Sequence, residues 1–475
     1  MSELDLAQRR RIHVVGVGGS GMSALALLLQ EMGHAVSGSD LRESRALERL
    51  RLAGVAIAVG HDPANIPPDA DAVVISTAVP RSNIEVVAAE EHGVPVLRRA
   101  DALRAIVATR RTIAVAGSHG KTTTSSMLAL IMRAADLQPS FLIGGELHEV
   151  ATNAARGAGE WFVVEADESD GTFLEIEPEV AIVTNVEVDH LEHYGTFDAL
   201  VAAFGRFLDR LPGVAVVCVD DPVVRGLAAE RTRAVTYGEA GDATYRLAGW
   251  ESEGRVGSRF EVWRGDERLG VVELAVPGRH NAVNALGAAA LASELGVPFT
   301  AIADALRNYG GVARRFQFKG EIDGVTLVDD YAHLPAELAA TIRTARECGW
   351  RRVVAVFQPY RYTRTALMWR DFADAFVDAD LLVLTDVCAP AAEVPQPGVS
   401  GRLVLRAVLD AHPSLPVAYF PRRGELAARV LGVARPGDVV VTMGVGDVGT
   451  VTDEMLAIAA EREHAETSGA GGVRS

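Results

Sequence analysis

The chain has 475 residues, 49% of them hydrophobic, with 46 glycines and a formal net charge of −17. That length exceeds what one core usually supports, so two to four domains are expected, and the apolar content excludes a disordered chain. The acidic balance argues against nucleic acid or an anionic membrane as a partner, so an anionic substrate has to be met by a local cationic site.

Short β-branched runs alternate with helical patterns along the chain, which predicts an α/β protein built on parallel sheets. The first block opens with a strand over Arg11–Val15. A turn, Gly16-Val-Gly18-Gly19-Ser20-Gly21, a helix over Met22–Met32 and a strand from Ala35 to Gly38, ending in Asp40, follow it. Because the first strand begins so soon after Met1, no signal peptide is expected. No apolar run reaches bilayer length, so the expected location is cytoplasmic. Cys218, Cys348 and Cys388 are odd in number and lack metal-ligand spacing, as suits reduced thiols. Gly16, Gly18, Gly21 and Asp40 meet the dinucleotide fingerprint: tight turn, phosphate approach, helix packing and an acid for a ribose hydroxyl. The same expression also fits Gly444-Val-Gly446-Asp-Val-Gly449. The pattern therefore predicts a nucleotide site of some kind and leaves an NAD-dependent dehydrogenase open.

The second block begins with the strand around Ile113 and runs to about Gly311. Its opening strand leads into Gly117-Ser118-His119-Gly120-Lys121-Thr122-Thr123 and then a helical pattern from Ser126. Strand, glycine turn and helix start wrap a nucleotide phosphate chain, with backbone N–H groups and the helix dipole facing the anion. Lys121 supplies a cation to the outer phosphates and the Thr122 hydroxyl a ligand for Mg²⁺. The standard spacing is not met, since Val115 stands where its first glycine falls. Trp161–Val164 reads as a buried strand that surfaces at Glu165-Ala-Asp167-Glu168-Ser169-Asp170. Carboxylates there suit Mg²⁺, and a solvated acidic loop is the plainer alternative for Asp167–Asp170. Val180–Thr184 ends in Asn185-Val-Glu187-Val-Asp189-His190 and presents an imidazole on a second strand end. Tyr245–Leu274 alternates in the manner of exposed antiparallel strands, and Asn281 begins a helix either as cap or as base contact.

The third block begins near Arg314, with strands at Thr326–Val328, Val353–Phe357, Leu381–Leu384 and Val439–Thr442. Arg315 follows Gly310-Gly311, where a guanidinium has room to swing onto a phosphate. Asp330-Tyr331-Ala-His333 and the pair Arg361 and Arg364 fall at strand ends, where open α/β sheets bind ligands. Beyond Glu461 the polar, glycine-rich composition predicts a disordered tail over 462–475.

Taken in order and spacing, these residues resemble the Mur ligases, the ATP-dependent amino-acid ligases of peptidoglycan synthesis, over about residues 11 to 455. Val17-Gly-Gly-Ser-Gly-Met22, Gly278-Arg-His-Asn281 and Phe357-Gln-Pro-Tyr-Arg-Tyr-Thr-Arg-Thr365 are nearest the alanine-adding branch. Leu200–Leu208 agrees, because it lacks the lysine that several sibling ligases carry in that segment. The resemblance implies a Rossmann-like domain over 1–108, a central P-loop-type ATPase domain over 109–312 and a C-terminal α/β domain over 313–461. It reassigns Gly16, Gly18, Gly19, Ser20, Gly21 and Asp40 from NAD to the UDP part of a sugar nucleotide. It gives ATP to Gly117, Ser118, His119, Gly120, Lys121, Thr122, Thr123, Asn281, Arg315 and Asp330. Mg²⁺ falls to Thr122, Glu165 and His190, and the amino acid to Tyr331, His333, Arg361 and Arg364. Lys121, His333, Arg361 and Arg364 would carry the chemistry. The implied small-molecule partners are UDP-N-acetylmuramate, L-alanine and ATP, on a monomer or weak homodimer. Leu334 stands where this branch usually has a second His, and Tyr360 where a His commonly precedes the arginine pair. A sibling ligase, a dehydrogenase and a nucleotide-sensing protein remain the competing readings. The last two have no need of a phosphate-and-metal centre.

Overall fold

Val- and Ile-rich runs bounded by glycine turns become strands in three sheets of the computed structural model, which describes residues 4–390 and 393–470. The first sheet contains β1 (Arg11–Val15), β2 (Ala35–Asp40), β3 (Ala56–Val59), β4 (Ala72–Ile75) and β5 (Val96–Arg98). They lie in the order β3-β2-β1-β4-β5, all parallel. The chain reverses its direction of travel across this sheet between β1 and β4, so a crevice opens at the carboxyl end of β1, where the first glycine turn sits.

The central sheet takes β6 (Arg111–Ala116), β7 (Ser140–Leu147), β8 (Thr152–Ala155), β9 (Trp161–Glu165) and β10 (Val180–Val183). It continues through β11 (Ala215–Cys218), β12 (Ala234–Gly238), β13 (Tyr245–Ser252), β14 (Ser258–Arg264) and β15 (Glu267–Leu274). The order is β15-β14-β13-β12-β11-β10-β6-β9-β7-β8. β6 thus lies between β10 and β9, parallel to both. Its residues Thr112–Ala116 are buried, as expected of a strand covered by helices on both faces. The β7–β8 pair is antiparallel, a hairpin that the sequence pattern did not announce.

The third sheet holds β16 (Gln317–Ile322), β17 (Val325–Asp330), β18 (Arg352–Phe357), β19 (Leu381–Leu384), β20 (Val417–Tyr419) and β21 (Asp438–Met443). Its order is β16-β17-β21-β18-β19-β20, with only β16 antiparallel to its neighbour.

Two compact units result. The first runs from the N terminus to Gly249 and includes Phe260–Leu274 and Asn281–Gly310, so the first two sheets' domains pack as one body. Arg156 ties them by donating its N–H to Glu31 at 2.7 Å. The second unit comprises Trp250–Arg259, Ala275–His280 and the chain from Gly311 on. One expectation is corrected: the last helix, Val451–Ala470, carries on through 462–470, where a disordered tail was expected. Glu461, Arg462, Glu463, Ala465 and Glu466 are good helix formers that extend a helix already begun. Residues 471–475 of that expected tail lie outside the described residues. Among the described residues no helix is long and apolar enough to cross a membrane.

Candidate nucleotide and substrate sites

In the first unit, three neighbouring strand ends meet at the phosphate loop. Gly117 has φ +134 and Gly120 φ +80, and each is crowded: a Cβ at Gly120 would lie 2.5 Å from Asn284 Oδ1, and one at Gly117 would overlap the Thr184 hydroxyl. Glycine is therefore required twice over, by conformation and by space. The loop leads straight into the helix Lys121–Ala134. From the end of β10, Asn185 grips it on both sides: His119 N–H donates to Asn185 Oδ1 at 2.7 Å, and Asn185 Nδ2 donates to His119 O at 3.2 Å. Thr184 Oγ1 also donates to His119 O, at 2.6 Å. The His119 ring lies 3.1 Å from Glu187 and the Ser118 hydroxyl accepts from Glu187 N–H. Thr123 is buried within the helix's packed face.

Lys121 Nζ donates to both oxygens of Glu168, at 3.0 and 2.8 Å, and to Gly117 O at 2.6 Å. Burial opposes its charge, but the carboxylates of Glu168, Asp167 and Glu165 outweigh that and hold the ammonium above its ordinary pKa. Glu168 is 1% exposed, so the solvated-loop alternative fails for it. Thr122 Oγ1 donates to Glu165 at 2.9 and 3.1 Å, and Gly144 N–H donates to the same carboxylate at 2.8 Å. Thr122 and Glu165 thus form a hard-oxygen pair that fits Mg²⁺. His190, at the next strand end with φ +54, sets Nε2 at 3.2 Å from Asp189. Asn281 and Asn284 are both buried on the helix Arg279–Glu294, one turn apart, and Asn284 abuts Gly120.

In the same unit, Gly16, Gly19, Ser20, Gly21 and Asp40 line a cavity of about 970 Å³ at the switch point of the first sheet, which Asp170 and Thr172 of the central domain also line. Gly18 N–H donates to the lining residue Asp40, at Oδ2, over 2.8 Å. Sequence reasoning missed the arginines of this cavity, Arg81, paired with Glu90, Arg98, paired with Asp101 and Glu175, and Arg99, and also His61. Each comes from a segment remote from the glycine turn, so no local motif marks them. Asn185 was visible only as a polar residue on a strand end.

In the second unit, β17 delivers Asp330, whose oxygens accept from Phe316 N–H and Ala332 N–H, both at 2.7 Å. Burial pushes this carboxyl up to about 6 against the pull of Arg315, and burial with the Arg315 charge takes His280 down to about 4. Arg315, Asp330 and His280 therefore share one neighbourhood. Arg314 and Arg315 stand 5.1 and 5.2 Å from the Tyr331 ring centre, and His333 packs edge-on to Tyr331 at 5.6 Å. His333 Nδ1 lies 3.1 Å from Tyr331 O and 3.3 Å from Glu337, which also caps the helix Pro335–Glu347. Leu334 is buried at that cap. Burial raises Tyr360, and its electrostatic neighbours are Tyr331, Arg361, Cys388 and Arg364. Tyr331, Tyr360, Arg361 and Arg364 are thus electrostatic neighbours. Arg361 has φ +68 and anchors its N–H on Cys388 O at 2.8 Å.

A Rossmann-like sheet with a cationic cavity, a phosphate loop beside a hard-oxygen pair, and a third α/β sheet define a three-domain nucleotide-dependent enzyme class. Family models agree domain by domain. "Mur ligase family, catalytic domain" matches residues 11–111, "Mur ligase middle domain" 115–292, and "Mur ligase, glutamate ligase domain" 314–446. The chain belongs to the Mur ligase family. It is 47% identical over 455 residues, 95% of its length and 98% of the relative's, to the UDP-N-acetylmuramate–L-alanine ligase of Anaeromyxobacter dehalogenans. The ligase of the same name from Desulforamulus reducens is 43% identical over 94% of this chain and 97% of its own. Among solved structures, the UDP-N-acetylmuramate-alanine ligase of Thermotoga maritima superposes with a TM-score of 0.81 at 29% identity, covering 96% of this chain and all of that one.

Proposed function

We propose that this chain joins L-alanine to the lactyl carboxylate of UDP-N-acetylmuramate, with ATP converted to ADP and phosphate. The observation that carries the reading is agreement over 95% of the chain with a ligase of that activity. A carboxylate is a poor electrophile, so ATP first phosphorylates it to an acyl phosphate. The alanine amine then attacks the acyl carbon and phosphate leaves. Phosphoryl transfer asks for charge neutralisation and alignment more than covalent help. Lys121 meets the transferring phosphoryl group, and the loop N–H groups, held in place by Asn185, meet its neighbours. Thr122 and Glu165, with His190 nearby, would hold Mg²⁺, which supplies further neutralisation of phosphate charge. Asn281, Arg315 and Asp330 hold the nucleotide. The cavity of the first sheet takes the UDP sugar, with Arg81, Arg98 and Arg99 as its cations. Tyr331, His333, Arg361 and Arg364 face the amino acid. The enzyme works in the cytoplasm as a monomer or weak homodimer.

Phosphate release that requires ATP, UDP-N-acetylmuramate and L-alanine together is the expected result. Release independent of the sugar nucleotide, or tight NAD binding without UDP-sugar binding in calorimetry, would refute it.

A further inference from the structure

The second glycine turn, Gly444-Val445-Gly446 with Gly449, is a motif that the proposed reaction leaves unused. It follows β21, which lies between β17 and β18. In a nucleotide site such a turn offers its N–H groups to phosphate. Here its carbonyls are taken by a guanidinium. Arg314 Nη2 donates to Gly444 O at 2.6 Å and Nη1 to Val445 O at 3.0 Å, while Nε donates to Asp329 Oδ2 at 3.0 Å. Asp329 is 1% exposed, and its other oxygen accepts from Thr442 Oγ1 at 2.7 Å. A Cβ at Gly449 would lie 2.6 Å from Arg314 Nη2 and 2.7 Å from Cζ. Gly449 has no positive φ, so space for the guanidinium, not backbone conformation, demands glycine there.

The clamp sits beside an unusual backbone. Arg314 has φ +62 and Phe316 φ +46, left-handed conformations on either side of Arg315. Such residues persist where their surroundings over-determine them. Around Arg314 those surroundings are complete: its N–H donates to Gln317 Oε1 at 3.1 Å and its carbonyl accepts from Tyr331 N–H at 2.7 Å. Phe316 N–H is held by Asp330. The backbone carrying Arg315 is therefore fastened on both sides, and Arg315 is left over the face of Tyr331.

We propose that Arg314 is a positioning residue. Its clamp on the Gly444–Gly449 turn sets the Arg315 guanidinium and the Tyr331 ring for the nucleotide and the amino acid. The inference rests on the role given to Arg315 under the proposed function. The second glycine turn is then the seat of an arginine.

The test uses the full chain with Arg314→Ala, Arg314→Lys, Gly449→Ala and the double variant Arg314→Ala/Gly449→Ala. Arg314→Ala is expected to raise the ATP KM about tenfold or more while the KM for UDP-N-acetylmuramate stays within about twofold. Lysine, a point donor without the fork, restores only part of the loss. Gly449→Ala keeps every polar partner and yet crowds the guanidinium, so it reproduces the ATP effect even where Arg314→Ala fails to fold. The double variant is expected to be no worse than Arg314→Ala alone, because both changes break one clamp. An ATP KM within about twofold of wild type in the folded variants, or additive effects in the double variant, overturns the proposal. Amide hydrogen exchange without substrates supplies a second readout. Exchange at 314–318 and 444–450 should accelerate together in Gly449→Ala, and unchanged exchange in either segment also overturns the proposal. If the wild type shows no ATP-dependent phosphate release, the proposed function fails while the exchange experiment still decides the clamp.

Discussion

Lys121 meets two demands at once. Its ammonium is the proposed cation of the phosphate loop, and it neutralises Glu168, a carboxylate with almost no access to water. Removing one member of a buried pair leaves the other charge uncompensated, which costs on the order of 3 kcal/mol. Lys121→Ala is therefore expected to lower thermal stability as well as to reduce phosphate release by about a hundredfold or more. Adding Glu168→Ala should recover the stability and not the activity, and a melting curve beside a phosphate assay separates the two. The arginine pair of the second unit makes a different prediction. Arg361→Ala and Arg364→Ala should each raise the alanine KM more than the ATP KM, since a guanidinium fork suits the amino-acid carboxylate. An unchanged alanine KM in both would place that carboxylate elsewhere. Leu334 and Tyr360 replace polar positions of the family pattern. Glycine and serine, run as competing substrates in the same kinetics, are accordingly expected to compete measurably with alanine.

At the level of elements, the phosphate loop is shaped by its neighbours as much as by its own glycines. β6 runs between β9 and β10, so the loop, the Glu165 carboxylate and the Asn185 amide arrive at one edge from three strands. Asn185 accepts from one backbone group of His119 and donates to the other, so its loss frees both. Asn185→Ala should raise the ATP KM about tenfold with little change in the KM for the sugar nucleotide. Equal rises in both constants would mean that the substitution disturbs the unit as a whole. The first glycine turn differs in its own way. Asp40 spends one oxygen on Gly18 N–H and so braces the turn, while the cavity's cations come from Arg81, Arg98 and Arg99.

For the whole molecule, acid stability is expected to depend on a buried carboxylate of the first sheet's domain. Glu85 is fully buried in the first sheet's domain, within 2.5 to 3.0 Å of Ser39, His61 and Asn65. Burial alone would raise it; His13, Ser39, Asn65 and the Asp62 N–H outweigh burial and bring it to about 2, from 4.5. Because the folded value lies below the unfolded one, this stabilisation is complete above about pH 4.5 and is lost as the pH falls toward 2. The shift corresponds to roughly 3 kcal/mol. Glu85→Gln should therefore melt lower than wild type at pH 7, with the gap closing as the pH is taken down to 3. A gap that stays constant with pH would assign Glu85 a packing role only. Asp330 and His280 have opposite signs in nearly the same window. Asp330, raised to about 6, gains stability as the pH falls from there toward 3.8, whereas neutral His280 loses it from 6.5 down to about 4. Their neighbourhood is thus expected to add little net pH dependence.

Much of this was legible in the residues themselves. Strand, glycine turn and helix start are local, so Arg11–Val15 with its turn and the run from Ile113 to Lys121 could be read directly, as could the polar residues that end β9, β17 and β18. Periodicity also foretold parallel α/β sheets, because strands covered on both faces must be apolar throughout. The tertiary structure decided what local pattern cannot carry. Two turns satisfy the same glycine expression, yet one borders a cationic cavity and the other seats Arg314. Glu168 belongs to an acidic run for which metal ligation and a solvated loop both stood open, and only the fold buries it against Lys121. Asn185 and Lys121 are 64 residues apart, and strand order alone makes them neighbours of one loop. Which side chains meet is set by sheet topology, and that depends on pairings distant in sequence, where no periodicity reaches.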